Sequence, residues 1–181
     1  ILVCGDPNSI NSELIFKAWR NLNSTQKRNT ILIGSYDLIL SQLKKLKRKL
    51  PLQKVVGINN IAINKKLKII DIPLKTNNPF NVPLRSASKY VLNCLNRAHE
   101  IYAHKNVSGI INCPIDKGLI RSSNFIGVTE YFASKNRVRD NSEVMLIHNK
   151  KLSVSPVTTH INIKNINKLI NKKLIIKKIN T

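Results

Sequence analysis

The sequence predicts an α/β fold with a largely parallel sheet, followed by the start of a second lobe. Three observations carry this. Over the first 113 residues, short apolar runs alternate with stretches whose apolar residues recur at helical spacing. Around 143–158 that rhythm gives way to two alternating segments flanking His148-Asn149-Lys150, the pattern of a hairpin. A hydrophobic fraction of 42% in 181 residues supplies a core despite a formal net charge of +22. The division falls at 1–125 for the α/β lobe and 126–181 for the beginning of the second.

The elements follow in order. Residues 1–4 read as a buried strand running into Gly5-Asp6-Pro7. Residues 9–12 offer helix N-caps, with Glu13 in the first turn and Leu14, Ile15, Ala18, Trp19 and Leu22 at helical spacing. The apolar run 30–34 predicts a second strand. A helix with Leu38, Ile39, Leu43 and Leu46 inward follows, ending in the basic run 44–49 before Pro51. Residues 54–58 and 67–72 predict two more strands, and the Asn- and Pro-rich 76–83 a loop. The strongest helix begins at Ser86, with Ala87, Tyr90, Val91, Cys94, Leu95, Ala98, Ile101 and Tyr102 on one face. A strand over 107–112 closes at Cys113-Pro114, and 129–135 predicts a short helix. Strands at 143–147 and 152–158 form the hairpin, and an amphipathic helix or pair of helices follows from Asn162.

Charge alone invites a polyanion reading, since clustered lysine releases phosphate counterions. The distribution argues against nucleic acid: 23 lysines are spread along the chain, arginines number 8, and aromatics make up 5%. With 26 Ile and 24 Asn beside them, the lysines read as drift toward residues of AT-rich codons. No uncharged apolar run approaches the roughly 18 residues of a membrane span, and no signal peptide is legible at the start. Cys4, Cys94 and Cys113 are odd in number, widely spaced and without CxxC, which fits neither a disulfide framework nor a thiolate zinc site. A reducing, cytoplasmic setting is expected. The six glycines form neither a GxGxxG fingerprint nor a phosphate loop.

Four polar loops after apolar segments are the candidate sites, because ligands gather at the carboxyl ends of strands in open α/β sheets. They are residues 5–13, 112–117, 125–130 and 158–163. His160 projects from a strand end after Thr158-Thr159, yet supplies one ligand where a zinc-type site needs three or four. His99 and His104 near a helix end and His148 in the hairpin turn read as surface residues. Lys117 offers a positive charge for phosphate or carboxylate, or is simply solvated. Thr129 is either a helix N-cap or a substrate hydrogen-bonder.

Taken in order, these loops resemble those of the 4-hydroxythreonine-4-phosphate dehydrogenase family of pyridoxal-phosphate biosynthesis. GDPNSINSE at 5–13 is similar to its GDPxGIGPE-type loop, NCPIDK at 112–117 to its TAPINK-type turn, FIGVTE at 125–130 to FxGHTE, and TTHINI at 158–163 to TTHIPL. KAW at 17–19 and the long Ala-containing helix match as well. The resemblance implies a two-lobed fold like that of isopropylmalate and isocitrate dehydrogenases, with an active site in the cleft, and a homodimer sharing residues between sites. It implies oxidation of a phosphorylated small-molecule substrate by hydride transfer to NAD. It further implies a divalent metal (zinc, magnesium or cobalt) held by three histidines, which would polarise the reacting oxygen, and decarboxylation of the 3-keto acid to 3-amino-2-oxopropyl phosphate. Relatives acting on phosphorylated threonate or erythronate are the near alternative.

By the same resemblance, His160 matches the first metal histidine and Thr129 a substrate-binding threonine. Val128 stands where the family has a substrate-binding histidine, and valine donates no hydrogen bond. Ser9 and Asn11 occupy glycine positions, Ser12 a proline position, and Asp116 an asparagine position. The remaining metal histidines and the phosphate-gripping basic residues are expected beyond Thr181. The readings left open are an incomplete enzyme chain, a non-catalytic basic binding protein built on this fold, or a degenerate non-catalytic remnant whose truncated second lobe leaves apolar surface uncovered. For the binding protein, Lys164, Lys168 and Lys172 would form a stripe along one helix.

Overall fold

A computed structural model describes residues 1–58, 64–103, 106–121, 125–138, 143–159 and 161–181. The chain divides into two compact units, 1–124 and 125–181.

The first unit is a five-stranded parallel sheet flanked by helices. Its strands are β1 (Leu2–Val3), β2 (Ile31–Gly34), β3 (Leu52–Val55), β4 (Leu67–Asp71) and β5 (Ile111–Asn112), in spatial order β3-β4-β2-β1-β5. Every pairing is parallel. Helices α1 (Asn11–Asn21), α2 (Ser24–Arg28), α3 (Tyr36–Lys45), α4 (Leu84–Tyr102) and α5 (Lys117–Arg121) complete the unit. Side chains alternate across the strands. Leu32, Leu67 and Ile69 join Ile15, Phe16 and Trp19 of α1 and Ile39 and Leu43 of α3 in one cluster. Val3, Ile33 and Ile70 alternate with them and are buried on the opposite face, where α4 crosses β1 and β2. Lys68 shares the face of Ile70 and is only 1% exposed.

Several expected boundaries change. The strand expected over 107–112 is ordered as a ladder only at Ile111–Asn112, an edge pairing to β1 that leaves Ile111 69% exposed. The strand expected at 54–58 starts earlier, and Val56 lies beyond it in solvent. The N-cap of α1 is Ile10, with no side-chain bond, so Ser9 is not its cap; Asn11 and Ser12 are buried in the first turn. Two short helices are additional: α2, closed by a reciprocal capping box between Asn23 and Gln26, and α5, whose start is fixed by Asp116. The best-patterned helix, α4, begins at Leu84 rather than Ser86.

The second unit holds α6 (Val128–Lys135), an antiparallel hairpin of β6 (Ile147–His148) and β7 (Ser153–Val154), α7 (Ile166–Leu169) after a short 3-10 turn, and α8 (Lys172–Asn180). The hairpin strands are far shorter than the alternation suggested. The expected stripe of Lys164, Lys168 and Lys172 does not lie on one helix. Ile170 is extended and Asn171 opens α8 as a new N-cap, accepting from the Leu174 N–H at 2.9 Å.

Candidate functional site

Parallel strands bring their carboxyl ends to one edge of the sheet. β1 sits between β2, its successor, and β5, reached only after α4, so the topology switches sides between β1 and β5. The loops after these two strands are residues 5–9 and 113–116, two of the four loops picked out in the sequence. They are bound to each other closely. The Asp6 N–H donates to the Pro114 carbonyl at 3.1 Å. Asn11 Nδ2 donates to the carbonyls of Asp6 and Pro114, at 3.1 and 2.8 Å. Gly5 makes this approach possible: its φ is +71°, and a Cβ there would lie 2.5 Å from the Pro114 carbonyl oxygen.

A third loop is tied to the same edge. The Asn8 amide pairs with both backbone groups of Val82, donating at 2.9 Å and accepting at 2.7 Å. Gln42 Nε2 donates to the carbonyls of Pro7 and Pro79, each at 2.7 Å. Gln42 is buried on the apolar face of α3, and its spacing with Leu38, Ile39 and Leu43 is a signal that the sequence carried and the motif reading passed over. At the end of β4, Asp71 accepts from the Tyr36 N–H at 2.9 Å and from Lys54 Nζ at 2.6 Å. Lys54 also lies over the Tyr36 ring, 4.9 Å from its centre. The hydrogen bond to Asp71 pushes the Lys54 pKa up from its ordinary value.

The three cysteines are free and buried beneath these loops. Burial pushes the Cys94 thiol up to about 12 and Cys113 up to about 11. Cys4 is raised well above the ordinary range, by burial first and then by its neighbours Cys94 and Cys113. Such thiols stay protonated at neutral pH and act as small apolar groups, not as nucleophiles or metal-binding thiolates.

The other sequence candidates fall as follows. Asp116 Oδ1 accepts from the Gly118 N–H at 2.7 Å, and Lys117 is exposed at the first position of α5. Ser88 Oγ anchors that short helix to α4 by donating to the Leu119 carbonyl at 2.6 Å. In the second unit, Gly127 holds the N-cap position of α6. Thr129 is therefore not the cap but the second helical residue, with its side chain exposed, while Val128 is half-buried beside it. Tyr131 fastens α6 locally, edge-on to Phe125 and Phe132 at 5.3 and 5.5 Å between ring centres. His148 Nδ1 lies 2.7 Å from Ser153 Oγ across the hairpin, in β6 just before the turn. His99 is in the last turn of α4. His160 and His104 lie outside the described residues. Among the described residues, no three His, Cys, Asp or Glu side chains converge to hold a metal ion. Among them, too, no helix is long and apolar enough to cross a membrane.

Comparison with known proteins gives a consistent picture. The family described as "Pyridoxal phosphate biosynthetic protein PdxA" matches residues 26–181. A 4-hydroxythreonine-4-phosphate dehydrogenase of Wigglesworthia glossinidia brevipalpis is 30% identical over 99% of this chain and 54% of its own. One from Sulfurihydrogenibium sp. is 29% identical over 98% of this chain and 54% of its own. The chain thus spans about half the length of the curated relatives it matches. Among solved structures, a 4-hydroxythreonine-4-phosphate dehydrogenase from Burkholderia phymatum superposes with a TM-score of 0.83 at 19% identity. It is covered to 55%, against 99% of this chain. That likeness shows a shared fold.

Proposed function

The chain belongs to the pyridoxal phosphate biosynthetic protein PdxA family, and from that membership we propose that it serves a 4-hydroxythreonine-4-phosphate dehydrogenase. In this reading the protein works as a cytoplasmic homodimer. The carbon bearing the secondary hydroxyl of the phosphorylated substrate gives up a hydride to NAD while the hydroxyl releases a proton to solvent. The resulting 3-keto acid releases CO2, the electron pair of the broken bond passing into the adjacent carbonyl, and the enolate so formed takes a proton at carbon to leave 3-amino-2-oxopropyl phosphate. The observation that carries the reading is the family match across residues 26–181, joined by the agreement of the relatives' names. The three free, protonated cysteines support a reducing compartment.

The residues of this chain have limited but definable parts in that scheme. The loops after β1 and β5 form a rigid floor, because Asn8, Asn11 and Gln42 fix their backbones. Thr129 presents an exposed hydroxyl in the first turn of α6, able to donate to or accept from a polar substrate group. Val128 beside it is apolar and supplies no hydrogen bond. His160 is the proposed metal ligand. Among the described side chains no set of three fits a divalent ion.

A second reading, a non-catalytic member of the family, is favoured by Val128 in place of a hydrogen-bonding histidine. The test is NADH formation from 4-hydroxythreonine 4-phosphate by the protein as its gene encodes it, with and without added divalent metal. Metal-dependent turnover supports the dehydrogenase. Its absence in a folded protein that still binds NAD would leave the non-catalytic reading standing.

A further inference from the structure

A groove of about 600 Å³ runs between α3 and the segment 74–79. That is the size of a small-molecule site, which pairs mostly apolar walls with a few polar groups. Leu38, Leu74 and Pro79 supply the apolar lining. Asp37 lines the groove from the first turn of α3, and Lys44 and Lys45 from the last. Seven and eight residues of helix hold these opposite charges apart, about 10–12 Å along the axis. Internal bonds fix the shape. Gln42 Nε2 ties the Pro79 carbonyl to α3 at 2.7 Å, and Thr76 Oγ1 donates to the Asn78 carbonyl at 2.8 Å. Among the described residues, neither Asp37 nor either lysine forms an ion pair; Asp37 acts on Lys54 only through space. The lysines complement the negative end of the helix dipole, yet that role leaves both ammonium groups with donors to spare.

We propose that this groove binds a small molecule charged at both ends, an aminoalkyl phosphate, with its phosphate on Lys44 and Lys45 and its ammonium on Asp37. A two-carbon spacer with one hydrogen bond at each end spans about 12 Å, which matches the separation set by the helix. The aliphatic middle of the ligand lies along Leu38, Leu74 and Pro79. A plain anion gains nothing from the Asp37 end, and a plain cation is repelled at the lysine end. The arrangement therefore selects a molecule that carries both charges. The site lies within the first unit and makes no use of the dehydrogenase reading.

Phosphoethanolamine is the probe, titrated into the 15N-labelled protein as its gene encodes it and followed by amide shifts. The expected result is saturable shifts at residues 37–45 and 74–78, with binding about 10-fold tighter than that of inorganic phosphate or ethanolamine alone. Replacing both Lys44→Ala and Lys45→Ala should weaken binding about 10-fold or more, and Asp37→Asn should remove most of the advantage over inorganic phosphate. All three side chains are exposed, so these variants leave the core untouched. Absence of saturable shifts overturns the proposal, as do shifts centred on residues 128–135 instead of the groove. Inorganic phosphate binding as tightly as phosphoethanolamine overturns it too, as does full affinity in the folded double-lysine variant. Should that variant fail to fold, the comparison of probes on the unaltered protein still decides.

Discussion

Alkaline pH should unfold the first unit through its buried thiols. Cys94 and Cys113 ionise in the folded protein only at about 12 and about 11, against an ordinary value of 9.0, and Cys4 is also held well above that value. An acid whose folded pKa lies above its unfolded one loses its proton first in the unfolded chain. Stability from these groups is therefore complete below pH 9 and falls as pH rises from 9 toward 11 and 12. At pH 10 Cys94 and Cys113 each contribute a loss of about 1.4 kcal/mol, about 3 kcal/mol together, and Cys4 adds to it in the same direction. That is a large share of the roughly 5–15 kcal/mol that holds a domain folded. With a urea slope of about 2 kcal/mol per molar, the unfolding midpoint should fall by at least about 1.4 M between pH 8 and pH 10. The single tryptophan is a suitable reporter: Trp19 is 6% exposed and packs in the same cluster as Cys4 and Cys113. Its fluorescence, followed through urea titrations with a reductant present, gives the midpoints. Cys94→Ala should lower stability slightly at pH 8 but shrink the alkaline loss by its own share, about 1.4 kcal/mol. A midpoint that moves by less than about 0.5 M, or a variant that retains the full alkaline loss, would refute the reasoning.

Four further outcomes are expected. Gly34→Ala places a Cβ 2.1 Å from Cys4 Sγ and 2.9 Å from the Tyr90 hydroxyl, and overpacking of that kind costs about 1–3 kcal/mol or more; an unchanged urea midpoint would contradict it. Lys68→Met removes an ammonium from a side chain that is 1% exposed and should raise stability by about 1 kcal/mol or more; a lower midpoint would show that the charge is compensated in place. In the proposed enzyme, Thr129→Ala should raise KM for the phosphorylated substrate about 5- to 10-fold, one hydrogen bond's worth, and Val128→His should lower it. Equal KM values in both variants would remove α6 from the site. Tyr131→Ala takes away the aromatic centre of α6, by analogy with buried Phe→Ala a loss of about 3–5 kcal/mol, and hydrogen exchange should show residues 128–135 opening while Trp19 fluorescence is unchanged; undiminished protection there would count against it.

What could be read from sequence follows burial. β2 and β4 were legible because Leu32, Ile33, Leu67, Ile69 and Ile70 are enclosed on both faces, which leaves a near-continuous apolar run. The long helix was legible because one face of α4, from Ala87 to Ile101, is buried. At the edge the same logic fails: residues 107–110 look strand-like, but only Ile111–Asn112 find a ladder partner. Helix α2 buries nothing, so hydrophobic periodicity could not reveal it, although Asn23 and Gln26 carry the capping signal. At the candidate site, the loops after β1 and β5 were recognisable as motifs. The residues that fasten them were not, because Asn8, Gln42 and Asn11 act through backbone carbonyls far away in sequence.

The second unit departs further from its sequence pattern, and the cause is physical. Among the described residues of 125–181, Tyr131 alone is a buried hydrophobic residue. Leu146, Ile147 and Leu152 around the hairpin are each more than 60% exposed, Ile163 is 82% and Ile179 76%. Alternation at 143–158 and helical spacing after 162 are real features of the residues. They specify long strands and a continuous helix only when a core rewards burial of the apolar face, and one buried ring among the described residues of this unit provides little. The ladder therefore shrinks to two residue pairs, and the helix breaks at Ile170-Asn171, where the asparagine cap outweighs an apolar face with nothing to pack against. The exception is α6, because Tyr131 packs between Phe125 and Phe132. Thr129 thus sits on a helix whose position is set by aromatic packing within its own unit, and that makes it a part of the candidate site well suited to a mutational test.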